Sequence, residues 1–254
     1  MQARLDGRAV IVTGAASGIG AAIARQASAS GAQLLLTDRT GDALAALART
    51  LDAATCIADL SDPAAPEAIA RACTDRFGRI DGLVNAAGLT DRASVLDGTA
   101  ETWDRLFAVN TRAPFFLMQA VITEMLGRKA PGAIVNIQSV NAHCGAPDLA
   151  IYSATKGALQ TLTRNAAHAL MADRIRVNGI NLGWVATESE DHMQAVTLGH
   201  GPGWRAEAER TMPLGRLITP EETARLAVYL LSDASAPMSG ASIDLEQKVP
   251  GAPA

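Results

Sequence analysis

The sequence predicts a single-domain α/β fold: a doubly wound parallel sheet of about seven strands with helices on both faces. Apolar runs of strand length alternate with alanine-rich stretches of helical length from one end of the chain to the other. The strand runs are nearly continuous in apolar residues, as a sheet buried on both faces requires. No Gly/Ser linker, repeat or shift in composition divides residues 1–254, so one domain is expected. With 48% apolar and 19% charged residues, the chain can bury a large core and does not have the composition of a disordered or fibrous protein.

Residues 8–13 read as the first strand and 19–30 as the helix after it. A second strand at 33–37 precedes a helix at 42–51, and a third strand covers 54–58. Asp62 and Pro63, an N-cap followed by a favourable first position, are expected to open a helix over 63–77. The fourth strand ends at 83–85. A long helix over 101–126 is expected to be interrupted near Pro114, which lacks an N–H and crowds the preceding turn. Strand 133–137, helix 152–171 and strand 174–180 follow, then a helix at 221–231 behind Pro220 and a last strand at 241–244. Residues 188–212 form the least regular stretch, with Trp204, two histidines and a Gly-Pro-Gly, and are expected to be a substrate lid.

Composition also excludes partners. The net charge is −4 and the basic residues are scattered, so a nucleic-acid footprint is not expected. Residues 1–7 are short and polar and lack a secretory pattern, and no run is expected to approach the ~18 apolar residues of a bilayer span. A cytoplasmic protein without a membrane partner is expected. Cys56, Cys73 and Cys144 fit neither a disulfide set nor a metal spacing and are expected to be reduced thiols.

The first strand runs into Thr13-Gly14-Ala15-Ala16-Ser17-Gly18-Ile19-Gly20 at the head of a helix. Glycines allow close backbone approach, and a helix N-terminus presents free N–H groups and a positive dipole end, so a pyrophosphate fits here. A ligand-free glycine-rich turn has the same local form, and the spacing departs from G-x-G-x-x-G. Asp38 ends the second strand 18 residues after Gly20, where an acid accepts bonds from adenosine ribose hydroxyls and repels the 2′-phosphate of NADP. Arg39, a good phosphate partner, weakens that exclusion. NAD is the expected cofactor, with NADP second.

Tyr152 and Lys156 stand four residues apart at the start of a helix, on one face. A free tyrosine has a pKa of about 10; a neighbouring cation lowers it and equips the phenol to exchange a proton with an alcohol or carbonyl. Ser139, just beyond the fifth strand, lies at the carboxyl edge where such sheets bind ligands and is expected to hold the reacting oxygen. A solvated helical pair is the plain alternative for Tyr152 and Lys156 taken alone.

Together these motifs resemble the short-chain dehydrogenase/reductase family over almost the whole chain. Thr13–Gly20 is similar to its T-G-x-x-x-G-I-G cofactor loop, and Asn85-Ala86-Ala87-Gly88 to its N-N-A-G element, with Ala86 in place of the second Asn. The resemblance implies a Rossmann-type fold and a tetrad of Asn110, Ser139, Tyr152 and Lys156. In it Asn110 holds a water linked to Lys156, and Lys156 also binds the nicotinamide ribose. It further implies cofactor contacts at Gly14, Ser17, Gly18, Ile19, Gly20, Asp59 and Leu60, and at Val185 and Thr187 of the N-L-G-W-V-A-T stretch, where Leu182 replaces the family's proline. The family's terminal glycine pair is missing; Ile243-Asp244-Leu245-Glu246-Gln247 stands there. A homotetramer, paired through helices such as 101–126, is implied as well.

Asn141, His143, Trp184, Glu188 and His192 are the expected substrate contacts, a mostly polar set in a chain only 4% aromatic. A sugar, sugar acid or polyol is the leading substrate class, in line with a further resemblance to family members that oxidise such compounds. The alternatives are a 3-oxoacyl thioester reductase, against which Asp38 argues, and a dinucleotide-binding sensor, which has no need of the tetrad. A Cys144–His143 nucleophile lacks an orienting third group, and the spacing of His192 and His200 with nearby acids fits no metal site.

Overall fold

The computed structural model describes residues 3–249; expectations placed on residues 1–2 and 250–254 lie outside the described residues. Seven strands form one parallel sheet in the order β3-β2-β1-β4-β5-β6-β7. They are β1 (Ala9–Thr13), β2 (Gln33–Asp38), β3 (Ala54–Ile57), β4 (Gly82–Asn85), β5 (Gly132–Ser139), β6 (Ile175–Leu182) and β7 (Ser242–Leu245). The order reverses between β1 and β4, and the crevice at that reversal is where open α/β sheets take their ligands.

Successive side chains of a strand point to opposite faces, and here both faces are buried. Val10, Val12, Leu34 and Leu36 pack with α1 (Gly18–Ala29), α2 (Gly41–Leu51) and α9 (Pro220–Leu231). Ile11, Leu35, Leu83 and Ile134 face α3 (Ala65–Phe77), α5 (Ala113–Gly127) and α6 (Ala150–Leu170) on the other side. This double burial is why the strands read as unbroken apolar runs.

Several boundaries differ from the sequence expectation for local reasons. Asp62 caps only a turn, its Oδ1 accepting from Ala64 N at 2.9 Å, and α3 starts later with Pro66 in its first turn. The stretch 100–127 is helical throughout, as α4 (Ala100–Phe107), a π-turn (Ala108–Arg112) and α5. The distortion therefore lies ahead of Pro114: with no N–H at Pro114 to extend the regular ladder, Ala113 N donates to Ala108 O, widening the turn that holds Asn110. By length and composition this stretch does reach what a membrane span needs, which corrects the expectation of none. In this fold, Leu117, Met118, Val121 and Met125 are core residues packed beside Ile69 and Cys73 of α3.

The segment expected to be irregular is also more ordered than its composition implied. It forms α7 (Glu188–His192), a π-turn (Met193–Thr197) and α8 (Trp204–Arg210). Trp204, Ala208 and Leu217 give it a small core of its own, with the Trp184 ring tilted against Trp204 at 5.6 Å between centres.

Candidate active site

A cleft of about 840 Å³ opens along the carboxyl edge of the sheet, from the β1–α1 loop past Asp38 and Asp59 to Tyr152 and α7. At its head the backbone passes itself closely. A Cβ on Gly20 would lie 2.1 Å from the Gly14 carbonyl oxygen, and one on Gly14 would lie 2.8 Å from Ala87 Cα. Ser17, the N-cap of α1, makes no side-chain cap bond, and the first turn carries no acidic residue. The helix therefore presents its N–H groups and positive end to the cleft without an internal anion, a seat for phosphate. Thr13, whose role has no signature in the sequence, accepts from both Ala86 N (3.0 Å) and Ala87 N (3.1 Å) and ties the loop after β4 to the end of β1.

Asp38 uses each carboxylate oxygen once, Oδ2 accepting from Ala16 N (3.1 Å) and Oδ1 from Thr40 N (3.0 Å). A carboxylate offers about four lone-pair positions, so acceptor capacity remains for ribose hydroxyls. Arg39 is exposed at the cleft edge. Asp59 lines the cleft beside Leu60, and its bond from Ser61 N holds its carboxyl below the ordinary range, with a smaller contribution from Arg39. The phosphate seat, the acid at the end of β2 and the length of the cleft fit a nicotinamide dinucleotide. When bound, it supplies the hydride acceptor or donor.

At the far end Ser139, Tyr152 and Lys156 all line the cleft and all are buried. Ser139 ends β5, while Tyr152 and Lys156 stand one turn apart on α6. Lys156 Nζ donates to Ile137 O at 2.9 Å and lies 5.7 Å from the Tyr152 ring centre. Burial lowers the Lys156 ammonium to about 8. Burial is also the largest influence on Tyr152 and pushes its phenol above the ordinary value; the Ser139 hydroxyl opposes the rise, the Glu190 carboxylate adds to it and the Arg92 guanidinium opposes it. The sequence expectation of a phenol lowered by Lys156 is thus reversed here by desolvation.

Asn110 is fully buried and does not line the cleft. Its Oδ1 accepts from Leu89 N (2.8 Å), and its Nδ2 donates to Leu89 O (2.9 Å) and Thr155 Oγ1 (3.1 Å). Three of the amide's four hydrogen-bonding positions hold the Leu89 backbone and Thr155 together, leaving one acceptor position on Oδ1. Asn85 likewise turns inward and donates to Asn136 Oδ1 at 2.8 Å.

Ser17, Gly18, Ile19, Ala86, Ala87, Gly88, Val185 and Thr187 line the cleft as expected from sequence. Of the expected substrate contacts, Asn141 and Trp184 line it, whereas His143, Glu188 and His192 do not. His143 turns toward β7, with Nε2 2.9 Å from Asp244 Oδ1, and Asn181 Nδ2 also donates to that oxygen at 2.7 Å. Burial works to raise the Asp244 carboxyl, but the bonds from Asn181 and His143 hold it below its ordinary value. Glu188 and His192 point into solvent from α7, and the wall is built instead by Ser189, Glu190, Met193 and Gln194. A five-residue helix puts only one face inward and is too short to show a period in the sequence.

Glu246 also lines the cleft, and a Cβ on Gly183 would sit 2.1 Å from its Oε2, so the acid after β7 occupies space that only glycine leaves open. Cys73 is buried and pushed up to about 12, mainly by desolvation, and is not a nucleophile.

A family model described as enoyl-(acyl carrier protein) reductase matches residues 14–246. Galactitol 2-dehydrogenase of Agrobacterium fabrum is 34% identical over 241 residues, covering 90% of this chain and 92% of that protein. D-threitol dehydrogenase of Mycolicibacterium smegmatis is 36% identical over 251 residues, covering 96% and 93%. The crystal structure of L-sorbose reductase from Gluconobacter frateurii, complexed with NADPH and L-sorbose, superposes with a TM-score of 0.91 at 26% identity, covering 100% of both chains. The match runs from the glycine loop at the head of the cleft to Glu246 at its far wall, and the chain belongs to the short-chain dehydrogenase/reductase family.

Proposed function

We propose that this chain is a dehydrogenase that moves a hydride between NAD and a secondary alcohol of a sugar, sugar acid or polyol. The observation that carries the reading is the burial of Ser139, Tyr152 and Lys156 together at the end of a dinucleotide-sized cleft that passes Asp38. The Ser139 hydroxyl positions the reacting oxygen, and Tyr152 takes its proton on oxidation or returns it on reduction. Lys156 holds positive charge beside the phenol and reaches the nicotinamide ribose. Asn110 is a positioning residue, acting through Leu89 and Thr155. Galactitol and threitol dehydrogenases as relatives support a polyhydroxylated substrate.

NAD preference rests on Asp38, whose charge at the end of β2 would repel a 2′-phosphate; the NADPH in L-sorbose reductase is the competing indication. The remaining proposals are a single domain over 1–254, a lid over 188–212 and a homotetramer in the cytoplasm. Exposed Trp103, Phe115 and Phe116 on α4 and α5 support subunit pairing, and light scattering would measure the mass. A second reading, reduction of a 3-oxoacyl thioester, is supported by the likeness to the crystal structure of a 3-oxoacyl-(acyl-carrier-protein) reductase from Agrobacterium tumefaciens with NADP bound, at a TM-score of 0.88 and 28% identity.

The deciding experiment follows reduced-cofactor absorbance across sugars, sugar acids and polyols with NAD and NADP in parallel. Turnover of a polyol with NAD is the expected result. Silence across that panel, with NADPH-dependent reduction of a 3-oxoacyl thioester, would overturn it in favour of the second reading.

A further inference from the structure

The substrate half of the cleft holds five charged side chains besides Lys156: Asp91, Arg92, Asp148, Glu190 and Glu246. Two acids have cationic partners, Asp148 with Arg92 at 3.2 Å and Asp91 with Arg105 at 2.8 Å. Glu190 has none among the described residues. Its Oε1 accepts from Trp184 Nε1 at 2.9 Å and from Gln194 Nε2 at 2.7 Å.

Gln194 is buried, and its amide cannot turn freely. His200 Nδ1 lies 2.9 Å from Gln194 Oε1, an atom that only accepts, so the histidine donates and the amide nitrogen is left to face Glu190. Both donors therefore converge on one oxygen of Glu190. Its Oε2 receives no hydrogen bond from the described residues. The carboxylate lines the cavity above Tyr152, close enough for its charge to act on the phenol.

Resting on the function proposed above, we infer that Glu190 determines substrate specificity: its free Oε2 accepts a hydrogen bond from a substrate hydroxyl next to the reacting carbon, selecting uncharged alditols over the corresponding sugar acids. A neutral hydroxyl gains a charge-assisted bond at this oxygen. A carboxylate placed there meets like charge, and Arg92 is already paired with Asp148.

The Glu190→Gln variant is suited to the test. Its side-chain carbonyl can stay under the Trp184 and Gln194 donors, and its NH2 group then replaces the free acceptor. The measurement is kcat/KM with NAD for galactitol (or whichever alditol the unmodified chain turns over best), for the aldonate of the same length, and for butan-2-ol. Butan-2-ol has no neighbouring hydroxyl and reports the effect of the lost charge on Tyr152 alone. Relative to butan-2-ol, the alditol should fall about 10- to 100-fold in the variant, mainly through KM. The alditol-to-aldonate ratio should fall at least about tenfold.

A second measurement needs no variant. An alditol lacking the hydroxyl next to the reacting carbon should lose a similar factor in the unmodified chain. An unchanged alditol-to-aldonate ratio in the variant, or an equal fall for all three compounds, overturns the inference while alditol oxidation by the unmodified chain upholds the proposed function. Failure on alditols with oxidation of a sugar or sugar acid overturns the inference alone, and failure on all three classes overturns both.

Discussion

The Lys156 ammonium lies one helical turn below Tyr152 and 5.7 Å from its ring, bonded to the Ile137 carbonyl and shut away from water. Burial acts on the two groups in opposite directions, raising the proton affinity of the phenol and lowering that of the amine to about 8. The sign for stability follows directly. Between about pH 8 and pH 10 the unfolded chain keeps a proton on this lysine that the folded chain has lost, so stability rises with pH across that window. Urea unfolding at pH 8 and pH 10 should show the rise in the unmodified chain and a smaller one in Lys156→Met. Equal slopes would show that the amine is not desolvated as described.

Tyr152→Phe keeps the ring packing and removes only the hydroxyl that exchanges the proton. Its kcat should fall by about 10²- to 10⁴-fold, the usual worth of a positioned acid–base group. Cofactor binding, followed by quenching of tryptophan fluorescence, should persist. Because oxidation needs the phenolate and reduction the phenol, the rate of alcohol oxidation should rise with pH while carbonyl reduction falls. Oxidation that keeps its full rate in the variant would remove Tyr152 from the chemistry.

Asp38 is also a structural residue, since its oxygens hold Ala16 N and Thr40 N. Asp38→Asn removes the charge and keeps one of those two bonds, since its NH2 group cannot accept from the other backbone N–H. The NAD-to-NADP ratio of kcat/KM should fall by about 10- to 100-fold, with Arg39 free to pair the added phosphate. In Asp38→Asn/Arg39→Ala the gain for NADP should shrink again. A ratio that does not move in the single variant would place cofactor choice elsewhere.

The parts legible in sequence were those with a short-range signature. Strand alternation, the glycine loop, Asp38 at a strand end and the Tyr152–Lys156 spacing each depend on neighbours within a few residues. The parts that escaped depend on what the chain meets far away. Glu190 and Glu188 look equivalent in sequence, and only the packing of α7 under Trp184 decides that Glu190 faces the cleft. His143 reads as a pocket residue until β7 places Asp244 beside it, 101 positions along the chain. The family resemblance implies a water at Asn110, and its three protein bonds appear only once Leu89 and Thr155 are in place.

Those bonds give Asn110 a second, measurable role. Asn110→Ala leaves the half-buried Leu89 N–H and carbonyl without this partner and removes the link to Thr155. Each lost bond is worth about 1 kcal/mol, so unfolding free energy should drop by about 1–3 kcal/mol. The loop from Leu89 to Arg92 forms the cleft wall beside Tyr152, so KM for the alcohol should rise as well. A variant as stable as the parent would mean that water replaces all three bonds.

The start of α9 offers a test on an element remote from the chemistry. Thr219 and Glu222 form a reciprocal capping box, Glu222 Oε2 accepting from Thr219 N at 2.8 Å, and Arg216 grips both carboxylate oxygens. The side-chain bond from Arg216 is the main reason the Glu222 carboxyl falls to about 2, with the Thr219 backbone bond next. Because its folded pKa is depressed, this group stabilises the chain above about pH 4.5 and loses that contribution as the pH drops toward about 2. Glu222→Gln should cost about 1 kcal/mol at neutral pH, the usual worth of a cap, and should flatten the acid limb of the stability curve. The segment also bonds to the cleft wall through Ile218 N to Trp184 O (3.0 Å) and Ala186 N to Ile218 O (2.8 Å). Hydrogen exchange at Ala186 should therefore quicken in the variant, and unchanged exchange there would show that the cap and the wall are mechanically independent.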